Sequence, residues 1–144
     1  MTDSRPPLAE ALDLQPHPEG GWFRQTWAAA EIVSLPDGRR RPTATLIYFW
    51  LPAGESSAWH RVGSDETWLA HEGIVLLERG GDGPYPATEG VEQVRVGVAR
   101  TAGEVAQAMV PAGVWQRTIP TQHDALVSCF VSPGFDFDDF ELAD

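Results

Sequence analysis

From Trp22 to the last residue, no apolar repeat of helical period runs for more than about two turns. The chain is instead cut into short apolar runs by turn signals. "WFRQTW" (22–27), "TATLIYFWL" (43–51), "IVLLER" (74–79), "EQVRVGV" (92–98) and "DALVSCFV" (124–131) read as strands. "EVAQAMVPAGVW" (104–115) is apolar and broken by a Pro-x-Gly turn, while "PDGR" (36–39) and "GGDGPYP" mark further turns. Strands this short, at this spacing, predict an all-β sandwich or barrel. Only residues 4–14, where Leu8 and Leu12 share a face, predict a helix, with Ser4 as its cap. In 43–51, Thr45, Ile47, Phe49 and Leu51 share one face and Leu46, Tyr48 and Trp50 the other. A strand apolar on both faces needs cover outside as well as inside. A second subunit is the expected cover, hence a homodimer.

The length, 144 residues, suits one domain with a real core. We divide it into an N-terminal helix and leading strand (4–27), a barrel (about 42–133) and a C-terminal segment (134–144). The net charge is −11, and lysine is absent. Five acids fall in the last nine residues, but the body remains acidic without them. An acidic surface repels phosphate backbones, so nucleic acid is not an expected partner, and no basic membrane-binding face exists. No apolar run approaches the roughly 20 residues that span a bilayer. "MTDSRPPLAEALDLQ" lacks the apolar core of a signal peptide, and the lone Cys129 offers no disulfide framework. A cytoplasmic setting is expected.

Chemistry concentrates in "GESSAWHRVGSDETWLAHEG" (54–73). Gly54, His60, Glu66 and Gly73 stand at the spacings of the first cupin motif, G-x5-H-x-H-x3-E-x6-G, with Val62 in place of the second histidine. Pro111, Gly113 and Gln116 match the second motif, P-x-G-x-x-H, except that Gln116 replaces its histidine. Together with "LDLQPHPEGGWFRQTW", "VPAGVWQ" and "LVSCFVSPGFDFDDFEL", these stretches resemble the Cupin_5 (DUF985) family from about Leu12 to Leu142. The resemblance implies a double-stranded β-helix, the jelly-roll barrel, with a ligand-sized interior, and a homodimer. It does not imply an activity.

Three readings of the site follow. Alternation predicts that His60, Glu66, Trp68 and Gln116 face the barrel interior. The first reading is a site that binds a small polar or carbohydrate-like molecule and epimerises or isomerises it without metal. There His60 is the base or first polar contact, Glu66 orients it, Gln116 bonds the ligand and Trp68 forms an apolar wall. The second is a metal-dependent oxygenase or isomerase with a reduced ligand set. Its divalent ion would have only His60 and Glu66 as strong ligands, since valine cannot ligate and an amide oxygen suits such ions poorly. The third is a non-catalytic binding or storage-type protein. Glu19 and Arg24 in "HPEGGWFR" are expected at the pocket rim, with His17 in a capping bond. Tyr48 is a proton donor if it faces inward, which a strand apolar on both faces does not fix. His71 and His123 are expected at the surface, and Cys129 as an inert core thiol. The C-terminal phenylalanines should pin their segment to the barrel, leaving its acids in solvent.

Overall fold

The structure, a computed structural model, describes residues 4–144. A helix, α1 (Pro7–Ala11), opens the chain. The strands that follow are β1 (Gln15–Pro16), β2 (Trp22–Ala28), β3 (Ile32–Ser34), β4 (Arg40–Pro42), β5 (Thr45–Leu51), β6 (His60–Val62) and β7 (Asp65–Glu72). Then come β8 (Val75–Arg79), β9 (Glu92–Val96), β10 (Gln107–Val110), β11 (Gln116–Ile119), β12 (Ala125–Ser132) and β13 (Phe140–Leu142). One antiparallel sheet has the order β1-β2-β5-β12-β7-β10, the other β13-β6-β11-β8-β9, and β3 pairs with β4 in a small hairpin over the predicted Asp-Gly turn. This is the expected all-β jelly roll with a short N-terminal helix.

The two sheets close on one core. Phe49, Trp68, Val110 and Val127 from the first sheet pack against Val75, Leu77 and Val96 from the second. β9 ends at Val96, so Val98, at the end of the run 92–98 read as a strand, lies beyond it and is exposed.

The helix is shorter than expected, and Ser4 does not cap it. Pro6 is the capping residue and Pro7 sits in the first turn, where a missing N–H costs nothing. α1 and Leu14 pack on Trp50, Tyr48, Trp22 and Leu126, on the outside of the first sheet. Two of the three outward residues of β5, Tyr48 and Trp50, are therefore covered by the chain's own N-terminal segment, not by a second subunit. The rest stays open: Leu46 lies between Trp27 and Phe130 in the ladder, and those two are 48% and 37% exposed. Among the described residues, no helix is long and apolar enough to cross a membrane.

Candidate functional site

Inward-facing side chains enclose a cavity of about 280 Å³. β2 contributes Phe23 and Gln25, β5 Thr45, Ile47 and Phe49, and β7 Glu66 and Trp68. His60 and Val62 come from β6, and Cys129 and Val131 from β12. His17 and Glu19 reach in from the turn before β2, and Phe135, Asp136 and Phe137 close the far side. Period-2 alternation places the strand residues; the turn and the C-terminal wall need separate causes.

The turn is closed by two backbone bonds, His17 N–H to Gly21 O (2.9 Å) and Gly20 N–H to His17 O (3.0 Å). Gly20 holds φ at +108°, and a side chain there would strike the carbonyl of Ser56. That close approach lets Ala58 N–H donate to Glu19 O at 2.7 Å. Glu19 is thereby brought to His60, with its Oε2 3.1 Å from His60 Nε2. The carboxyl beside His60 is thus Glu19, not Glu66 as the motif spacing led us to expect. His60 Nδ1 donates to Ala58 O at 2.7 Å in the tautomer that satisfies that carbonyl, which leaves Nε2 as the acceptor facing Glu19.

Burial sets the charge of this pair. It pushes the Glu19 carboxyl well above the usual carboxylate range, and neighbouring Glu66 adds to the effect. It pulls His60 down to about 4. Although the contact is short enough for an ion pair, both shifts favour a neutral acid beside a neutral imidazole. Glu19 Oε2 is one of three buried side-chain atoms among the described residues without a hydrogen-bond partner. His17 is likewise held near 4, by burial and then by His60. Its Nδ1 accepts the Glu19 N–H at 3.1 Å, the capping bond expected of it, and its ring also lines the cavity.

Glu66 has a different partner. Gln116, opposite His60 in the β11–β6 ladder, donates from Nε2 to Glu66 Oε1 at 2.7 Å and accepts from Trp68 Nε1 at 2.9 Å. Burial raises Glu66 to about 7, against the pull of its hydrogen bonds from Gln116 and Cys129. Gln116 is fully buried and does not line the cavity, so its amide is placed to hold Glu66 rather than to reach a ligand. The Cys129 thiol is pushed well above its ordinary value by burial, which keeps it protonated and unreactive.

Two expected site residues lie elsewhere. Arg24 points out of the barrel and donates to Leu12 O at 2.7 Å, because alternation along β2 sends Phe23 and Gln25 inward. Tyr48 faces outward with Trp50, beneath α1 and beside the exposed His71. The C-terminal wall was missed as part of the site. Phe135 and Phe137 do pin the segment, but Asp139 is not solvated: Arg41 grips both its oxygens, at 2.8 and 2.9 Å, and Arg39 adds a contact at 3.2 Å. Nothing local in "PGFDFDDF" signals that pairing, since both arginines lie in the β3–β4 hairpin region.

The "Cupin superfamily (DUF985)" family model matches residues 7–143. The chain belongs to this cupin family. A hypothetical protein from Leishmania major is 36% identical, with a TM-score of 0.82, over 92% of this chain and 83% of that one. A structural-genomics target from Shewanella oneidensis is 33% identical, with a TM-score of 0.79, over 94% of this chain and 81% of that one. KdgF from Halomonas sp. shares the fold at 15% identity and a TM-score of 0.58, over 86% and 88% of the two chains. No curated protein matches.

Metal ligation fits this cupin poorly. Val62 is buried at the position of the second histidine, and the Gln116 oxygen already accepts from Trp68 while its NH2 faces Glu66. Among the described residues, no three His, Cys, Asp or Glu side chains converge as an ion would require.

Proposed function

We propose that this cupin binds a small polar, carbohydrate-like molecule in the barrel and moves a proton on it beside a carbonyl, as a metal-independent isomerase or epimerase. The observation that carries the reading is the pair of buried carboxyls, Glu19 and Glu66, facing one cavity from opposite partners. Glu66, at about 7, divides between acid and carboxylate near neutral pH, where a general base works best. Glu19 keeps its proton and sits against the acceptor nitrogen of His60.

The sequence cast His60 as the base. Its low basicity in the barrel suits it better to positioning the Glu19 proton. In the proposed step, the Glu66 carboxylate takes a proton from the carbon next to the carbonyl. Glu19 gives its proton to the carbonyl oxygen, forming an enol. Glu66 then returns its proton to the neighbouring, former carbonyl carbon, while the hydroxyl on the carbon first deprotonated gives its proton to Glu19. In epimerisation the enol hydroxyl returns its proton to Glu19 as water protonates the opposite face of the same carbon, and Glu66 gives its proton to the resulting hydroxide. Both carboxyls are restored without redox change. Phe49 and Trp68, in edge contact at 5.7 Å, supply a dry wall that strengthens these transfers.

The test is solvent deuterium incorporation into candidate aldoses and ketoses, followed by NMR. Incorporation abolished in Glu66→Gln and Glu19→Gln supports the reading. Binding without exchange would favour the non-catalytic alternative. One equivalent of metal by elemental analysis, lost in His60→Ala, would revive the metal-dependent one.

A further inference from the structure

The cavity contains no cationic side chain. Three carboxyls line it, from Glu19, Glu66 and Asp136, with two imidazoles and no arginine. Lysine is absent from the whole chain. The arginines that pair with the C-terminal segment are committed there, Arg39 and Arg41 to Asp139 and Arg61 to Glu141. An anionic ligand would thus meet buried carboxyls without a counter-ion, and a phosphate or carboxylate group would lose its hydration for nothing in return.

A cation meets the opposite situation. Glu19 Oε2 has no hydrogen-bond partner besides the 3.1 Å contact with His60 Nε2, its side chain is only 9% exposed, and Glu19 lines the cavity. Phe23, Phe49, Trp68, Phe135 and Phe137 line the space, and an aromatic face attracts a desolvated cation. A net charge of −11 draws cations toward the protein and repels anions.

Resting on the binding reading above, we infer that the ligand is a protonated amine on a small hydroxylated skeleton, with its N–H groups directed at Glu19, and that the cavity rejects carboxylates and phosphates. Burial keeps both glutamates reluctant to ionise in the free protein. An ammonium offsets that penalty and draws off the Glu19 proton. Glu19 thus meets an amine as an anchoring carboxylate rather than as the proton donor of the step above, and the inference rests on the binding part of that reading alone.

Isothermal titration of the intact protein with glucosamine, glucose and glucuronate tests this at neutral pH and low salt. Glucosamine should bind about tenfold or more tighter than glucose, with glucuronate weaker still. Glu19→Gln should remove the difference between glucosamine and glucose. Equal binding of glucose and glucosamine, or preference for glucuronate, overturns the charge inference while leaving the polar-ligand reading standing. If none of the three binds, the ¹³C titration of Glu66 decides. Methylammonium chloride should shift it to lower pH relative to equal sodium chloride, and no displacement overturns the inference. Deuterium exchange then reports on proton transfer independently.

Discussion

Glu66→Gln should abolish a specific part of the protein's pH-dependent stability. The Glu66 carboxyl moves from 4.5 in the unfolded chain to about 7 in the barrel. A raised acid favours the folded state most below the lower value, because there both states are protonated. As pH rises, the unfolded chain loses its proton first, and stability drains until the folded group ionises too. Integrated from pH 5 to pH 8, that linkage removes about 2.5 kcal/mol. Glu19, also raised, works in the same direction, whereas His17 and His60, lowered from 6.5 to about 4, add stability as pH climbs between those values. The wild-type profile is therefore composite, and the difference between wild type and Glu66→Gln reports the Glu66 carboxyl together with the smaller part of the Glu19 shift that Glu66 causes. The glutamine keeps an oxygen to accept from Gln116 Nε2. Urea unfolding of both proteins at half-unit pH steps measures the difference. Relative to wild type, the variant's midpoint should rise by roughly 1–2 M urea between pH 5 and pH 8. Parallel curves over that range would refute the argument, because they would mean that Glu66 titrates normally inside the barrel.

Trp68→Phe leaves Gln116 Oε1 without its donor at a fully buried site and should cost about 1–3 kcal/mol in the same assay. Gly20→Ala forces a side chain onto the Ser56 carbonyl at positive φ. It should lower the melting temperature and also remove any ligand-induced thermal shift, since Glu19 moves with the turn. Asp139→Asn weakens the grip of Arg41 and should speed amide exchange in 135–142 more than in β5 or β12, by mass spectrometry. We propose that a second copy of the chain covers the row of exposed Trp27 and Phe130 with half-buried Leu46 between them, which needs no foreign partner to be buried. Phe130→Glu should then shift the sedimentation coefficient from dimer to monomer.

The strands and the inward-facing residues could be read from the sequence because both rest on local signals. Alternation alone put His60, Glu66 and Trp68 inside, and glycine and proline marked most turns. What could not be read depends on contacts between distant segments. Tyr48 lies on a strand apolar on both faces, and only the seating of α1 shows that it points outward. Glu19 becomes the partner of His60 through a backbone bond to Ala58, and no spacing rule encodes a turn pressed against a remote loop. Gln116 stood at a ligand position of the motif. Its role as the clasp on Glu66 emerged only from the orientation of both ends of its amide.

The cavity is also assembled from both ends of the chain. His17 packs its ring 5.8 Å from that of Phe137, and β13 joins the second sheet only by pairing with β6. Contacts of such long sequence separation form late and slowly, because the loops between them must first be closed. During refolding, the strands between Thr45 and Ser132 can bury Trp68 in their shared core before any pocket exists. Fluorescence should therefore recover ahead of binding competence, and a ligand added early would find only the last species on the route.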